Sequence, residues 1–274
     1  MKLFSVCLAA AVLAPVSVQA STTFNLGVAS PFALFAGSGM VNTGPTNVYG
    51  NVGIYPGGTM AGFPAGFMSG GSIYLGGNAI SAHDALATAF SQAGQAPCGM
   101  NLSGRDLAGM TLTSGVYCFD SSAFLGGTVT LDGRGDPNAQ FVFLMNHTLT
   151  TGINSSVVFT NGASGSGVLW LAVDSVNIGA GSSFAGSLIS IGNVTLNAGA
   201  SLQCGSAFSL NGFVNLDSNR ISTCGSLAPP PPPPPDPILN PEPSTASMVL
   251  LIGVPALLLV RRYKKSKTAP TSVV

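Results

Sequence analysis

Between Thr128 and Asp217 the chain repeats one short unit, a Thr or Asn set between two mostly apolar residues. The units are Val129-Thr130-Leu131, His147-Thr148-Leu149, Val176-Asn177-Ile178, Val194-Thr195-Leu196 and Val214-Asn215-Leu216. Side chains alternate across a strand, so each unit reads as a short strand with its middle residue outward. Successive Thr/Asn positions are 18, 29, 18 and 20 residues apart. Gaps of that size suit one turn of a β-solenoid, with one longer insertion. Stacked coils would set the five residues in a column, neighbours about 4.8 Å apart. Such a ladder of small polar groups on a rigid coil suits the binding of something regular.

A second outward column is expected at Asp132, Thr150, Gly179, Asn197 and Asp217, with the terminal Asp residues guarding the edges. Other strands are apolar on both sides: Phe141 to Met145, Val168 to Val173 and Ser187 to Ile191. A strand of that kind must be covered on both faces. The cover is the one good helix, Ala79 to Ala93, rich in Ala, with Ile80, His83, Ala87 and Phe90 on its inner face. Asn78 is placed to cap it, and Gly94 followed by Pro97 to stop it. A third set, Ser156 to Thr160 and Ser182 to Gly186, would complete a three-sided coil. Gly162, Gly165, Gly181, Gly199 and Gly212 fall where corners need positive φ. Phe24 to Tyr74, broken by Gly and Pro, reads as irregular strands and loops.

The ends read as processing segments. Lys2, the apolar run Leu3 to Val16 and Val18-Gln19-Ala20 have the form of a secretory signal over residues 1–20, so the protein is expected to be exported. A domain over 21–228 follows, then a stiff proline-rich linker over 229–240. The last part, 241–267, carries Pro241-Glu242-Pro243, a short apolar stretch from Met248 to Val260 and a basic cluster from Arg261 to Lys267. That order resembles the PEP-CTERM sorting signal of Gram-negative bacteria. The resemblance implies a short transmembrane helix, transient inner-membrane anchoring and cleavage by an exosortase-type enzyme. Release, or retention at the cell surface or matrix, would follow.

Between residues 21 and 240 there are eight Asp and three Arg, with no Lys and no Glu, a net charge of about −5. A nucleic-acid partner needs basic contacts to phosphates and is excluded. Cys98, Cys118, Cys204 and Cys224 form an even set in an exported chain, so two disulfides are expected. Three pairings are possible. Proximity favours Cys98–Cys118 and Cys204–Cys224, each closing a loop of about 20 residues and worth roughly 3 kcal/mol. No CxxC is present, which disfavours zinc.

No residue set has the form of a catalytic centre. His83 and Asp84 adjoin but lack a nucleophile, and His83 reads as a packed residue. His147 has no acidic neighbour in sequence. Asp132-Gly133-Arg134-Gly135-Asp136 has calcium-loop spacing without a closing Glu, so it reads as a tight turn with an Arg–Asp pair. Trp170 reads as core. No cofactor or metal is implied, and the domain is read as a monomer.

Four longer segments carry a family resemblance: GVASPFALFAGSGMVNTGPTNVYGNVGIYPG at Gly27–Gly57, LSGRDLAGMTLTSGVYCF at Leu102–Phe119, TLDGRGDPNAQFVFLMNHTLTT at Thr130–Thr151 and VTLNAGASLQCGSAFSLNGFVNLDSN at Val194–Asn219. They are similar to the ice-binding-like family of bacteria, fungi and algae. The resemblance implies a mainly β fold, a right-handed triangular β-solenoid (a discontinuous β-helix) with one long α-helix packed along one face. It also implies that a flat, helix-free face meets ice. The family's T-[A/G]-x-[T/N] element is matched by Thr151-Gly152-Ile153-Asn154 and by Thr43-Gly44-Pro45-Thr46. Gly179-Ala180-Gly181-Ser182 and Asn197-Ala198-Gly199-Ala200 are read as later equivalents that have lost the first Thr.

The expectation is therefore an antifreeze protein that adsorbs to ice and inhibits its growth and recrystallisation. The expected contacts are Thr130, Thr148, Thr150, Thr151, Asn154, Asn177, Thr195, Asn197 and Asn215. The alternative is a structural or carbohydrate-binding matrix protein that meets extracellular polysaccharide without ice affinity. That reading wants an exposed aromatic row, and the expected outer face offers only Phe213.

Overall fold

The computed structural model describes residues 24–63 and 66–225. The expected signal, linker and sorting segments lie outside them, as does the second of the chain's two units, 230–274. Among the described residues no helix is long and apolar enough to cross a membrane.

A 3₁₀ turn leads into β1 (Phe32–Ala36), β2 (Gly39–Thr43), β3 (Asn47–Tyr49), β4 (Asn51–Ile54), β5 (Thr59–Ala61), β6 (Phe67–Ser69) and β7 (Ile73–Tyr74). Helix α1 (Gly77–Gly94) follows. After it come β8 (Met100–Asn101), β9 (Thr111–Thr113), β10 (Gly115–Phe119), β11 (Ala123–Leu125), β12 (Thr128–Asp132), β13 (Phe141–Met145), β14 (Leu149–Thr151) and β15 (Ser156–Thr160). The last are β16 (Val168–Ala172), β17 (Val176–Ile178), β18 (Ser183–Ser190), β19 (Val194–Leu196), β20 (Ser201–Ser209), β21 (Phe213–Asp217) and β22 (Arg220–Ser222).

A turn of chain lays down three strands, or two where one strand serves two faces; every ladder is parallel, and the coils stack as a mainly β solenoid. A seven-stranded sheet, β11-β14-β17-β19-β21-β2-β5, forms the ladder face. A fifteen-stranded sheet forms the other two, because β18 and β20 bend round a corner and serve both. The bend falls at Gly186, whose φ of 92° and lack of space beside Val168 exclude a side chain.

The N-terminal segment is not irregular. β1, β2 and β3 stack on β20, β21 and β22, so the first coils of the sequence extend the last. The chain then starts its remaining coils from the opposite end of the stack, at β8. Helix α1 makes that journey. Its 18 residues span about 27 Å, against about 38 Å for the nine strands beneath it at ~4.8 Å spacing.

The helix covers the doubly apolar strands, as expected, but with a different stripe. Ala79, Ala82, Leu86, Ala89 and Ala93 are buried, whereas Ile80 is 39% exposed and His83, Ala87 and Phe90 are half-buried. The sheet already offers Phe32, Phe35, Leu169 and Phe208 to this interface. Small residues let the helix axis come close to such a surface, and the larger ones fall to the flanks. Gly76, not Asn78, occupies the N-cap, without a side-chain bond.

Inside the coils Tyr117, Phe143 and Trp170 stack and Phe184 tilts against Trp170, with successive centroids 5.2, 3.8 and 4.9 Å apart. Trp170 is fully buried, and its Nε1–H donates to Ala185 O at 3.1 Å. Both favoured disulfides are present, Cys98–Cys118 and Cys204–Cys224. Gly162, Gly181 and Gly199 turn corners at positive φ. Gly165 and Gly212 do not; they are needed for space, since a Cβ would lie 2.5 Å from Cys204 O and from Asn193 Oδ1 respectively.

Candidate functional site

The ladder face owes its shape to alternation against one core. Ala123, Leu149, Val176, Val194, Val214 and Met40 point inward and are buried. The residue after each points outward, and pairing sets those six, with Ala61 of β5, in one column: Phe124, Thr150, Asn177, Thr195, Asn215, Val41 and Ala61. At ~4.8 Å per strand the column runs about 29 Å.

This register corrects several placements. Thr150, not Thr148, is the rung paired with Asn177. Thr148 is outward on the same side, two residues earlier, where it stands beside Ser175 with hydroxyls 3.1 Å apart. Both positions have the same parity, so alternation alone does not distinguish them. Thr130 belongs to another face: β12 pairs with β9 and β15, and Thr130 lies between Thr111 and Val158. Asp132, on the same strand, likewise cannot end a column of the ladder face. Asn197 and Asp217 do form an outward column two residues past the Thr195–Asn215 pairing, continued by Thr43.

Thr151 is 5% exposed and faces inward; its Oγ1 accepts from Gly179 N at 2.9 Å. Asn154 is exposed but takes a left-handed corner, φ 54°, the position filled by Gly181 and Gly199 in the next coils. The two T-[A/G]-x-[T/N] matches are therefore not equivalent. Extending the strand register aligns Thr43 with Gly152, not with Thr151. Gly179 likewise aligns with Gly152, so no Thr has been lost at that rung.

Side chains on the face hold one another. Asn197 Nδ2 donates to Asn177 Oδ1 at 2.6 Å and to Ile178 O at 2.7 Å. Asn215 Nδ2 donates to Thr195 Oγ1 at 3.2 Å. Bonds of this kind restrict rotamers that an exposed polar side chain otherwise samples. No member of the middle column is ionisable. A His–Asp hydrogen bond, His147 Nδ1 to Asp174 Oδ2 at 2.8 Å, sits at the corner before the face and joins residues 27 apart in sequence.

The remaining uncovered side, the creased face, also carries hydroxyls, and Thr128 Oγ1 lies 2.8 Å from Ser156 Oγ. It is not uniform. β15 meets β18 only at Ser156–Ser183 and then diverges. A recess of about 280 Å³ opens there, lined by Val157, Phe159, Phe184 and Gln203 among others. The Cys204–Cys224 disulfide sits at the bend of β20 out of this face, and Arg220 lies over the Tyr49 ring at 5.1 Å. The Asp132–Asp136 turn is tight, with Arg134 at φ 51°, but Asp132 Oδ1 accepts from Arg134 N and Asn161 Nδ2, both at 2.8 Å, in place of an Arg–Asp ion pair. Those two donors, the backbone N–H foremost, hold the Asp132 carboxyl below the usual carboxylate range.

Sequence reasoning passed over Val41 and Ala61, because a search for Thr and Asn misses apolar rungs. The same in-out-in pattern at Met40-Val41-Asn42 was the available signal. It also passed over Phe124, 44% exposed at the opposite end of the column.

Residues 34–222 match the family model described as Ice-binding-like. An ice-binding protein of Nostoc sp. (strain HG1) is 36% identical over 249 residues, 90% of each chain. Among solved structures, an ice-binding protein from an Antarctic biological consortium superposes with a TM-score of 0.72 at 34% identity, covering 77% of this chain and 96% of that one. One from the Antarctic ascomycete Antarctomyces psychrotrophicus gives 0.70 at 32% identity, covering 74% and 98%.

Proposed function

The chain belongs to the ice-binding-like family, and on that premise we propose that it adsorbs to ice through the ladder face. The contacts are Thr148, Thr150, Asn177, Thr195 and Asn215, extended by Val41, Thr43 and Ala61, with Asn197 beside them in the face. Adsorption there inhibits ice growth and recrystallisation without a cofactor or a chemical step, and a single copy suffices. Thr130, Thr151 and Asn154 are left out, the first on another face, the second buried and the third at a corner.

The observation that carries this reading is the unbroken seven-strand register with mutually bonded rungs. Each polar or methyl contact to ordered water is weak, so area and rigidity decide the outcome. Extracellular polysaccharide is the less favoured ligand. The aromatic residues of this face, Phe124 and Phe213, occupy different columns with three strands between theirs, so they make no stacking row. The test is Thr195→Tyr, which sets a large ring at the centre of the face. Ice shaping and thermal hysteresis should be lost while the circular dichroism spectrum is kept. Full activity in a folded Thr195→Tyr protein rules the face out.

We also propose export through the 1–20 signal from a Gram-negative cell, with exosortase processing at Pro241-Glu242-Pro243. The support is the order of motif, apolar stretch and basic cluster in the sequence.

A further inference from the structure

We propose that Asn197 is a positioning residue for the adsorbing face and acts through Asn177. This rests on the ladder face being the one that meets ice. Asn197 stands one column aside from the middle rungs, next to Gly179 of the preceding coil. Gly179 is obligatory, since a Cβ there would lie 2.2 Å from Gly152 O. Its missing side chain leaves the room into which the Asn197 amide folds. That amide uses one nitrogen for two acceptors on β17, the Asn177 side chain and the Ile178 carbonyl. Its donors are thereby spent inside the protein and are poorly placed to bind ordered water directly.

Asn177 is in the opposite position. It is the exposed polar rung of the middle column, and the Asn197 bond to its Oδ1 is what orients its terminal amide. Without that bond the χ2 torsion, broad for Asn, is free to turn. Asn197 is itself anchored from below. Its carbonyl accepts from Asn219 Nδ2 at 2.9 Å, and Asn219 is 1% exposed with its backbone N–H on Thr46 Oγ1. The chain of bonds therefore runs from a buried corner, through Asn197, to the surface rung.

The experiment is a double-mutant cycle on the full chain, read by thermal hysteresis with melting temperature measured alongside. Asn197→Ala and Asn177→Ala should each lower hysteresis roughly twofold, and the double variant should fall no lower than Asn177→Ala alone. Asn197→Asp, which keeps the shape and loses the donors, should match Asn197→Ala. Multiplying losses in the double variant overturn the inference, because they mean that Asn197 contacts ice itself. So does an Asn197→Ala protein with full hysteresis beside a weakened Asn177→Ala. If Thr195→Tyr is also fully active, the reading of the face has failed, and not only this step.

Discussion

The ladder face and the creased face are both open to solvent and built of alternating strands, and both carry stacked hydroxyls. They differ in what else each has to do. Strands of the ladder face run three to five residues between two corners and pair without a bulge from β11 to β5. The creased face takes the 161–167 insertion, the bends of β18 and β20 into the covered side, a disulfide and Arg220. A solenoid places its irregularities somewhere. Here they gather on one uncovered side and leave the other regular, which is the property an adsorbing surface needs.

That contrast is breakable. Its largest expected effect comes from bulk. Val158→Tyr and Gln203→Tyr, both outward on the creased face, should keep wild-type hysteresis, where Thr195→Tyr loses it. Equal losses on both sides would mean that adsorption does not distinguish them. Next is the cross-link. Joint replacement of Cys204 and Cys224 by Ala should cost about 3 kcal/mol of stability, seen in the melting temperature. Hysteresis of the folded protein should not move, because the bond sits at the bend of β20, outside the ladder sheet. A lost hysteresis in that variant would tie the two sides together.

The smallest effect is electrostatic. The folded-state pKa of Asp132 lies below its ordinary value of 3.8. Its contribution to stability is therefore present above that value and lost as pH falls through the lower folded one. Denaturant melts between about pH 2 and 6 should show this loss, and Asp132→Asn should not show it. Hysteresis should stay level from about pH 5 to 9, since the middle column has no titrating group.

Much of this was legible in the residues. Coil length, the outward Thr/Asn rungs, the doubly apolar strands and their helical cover are local patterns, and local patterns survive in sequence. The two loops closed by disulfides were readable as neighbours 20 apart. What was misplaced had a non-local cause. Val129-Thr130-Leu131 alternates as Val194-Thr195-Leu196 does, yet the two lie on different faces. Thr148 and Thr150 share parity, and only pairing with Asn177 chooses between them. Thr151 belongs to an outward-looking motif and points into the core.

The sequence by itself determined a β-solenoid of about 18 to 29 residues per coil, one helix to cover its apolar side, and a surface poor in charge. Tertiary structure alone decided which rungs align and that β2 and β5 prolong the ladder beyond β21. The reason is physical. Alternation is set by each strand's own backbone, whereas register depends on the lengths of the corners and on hydrogen bonds between segments as distant as Thr46 and Asn219.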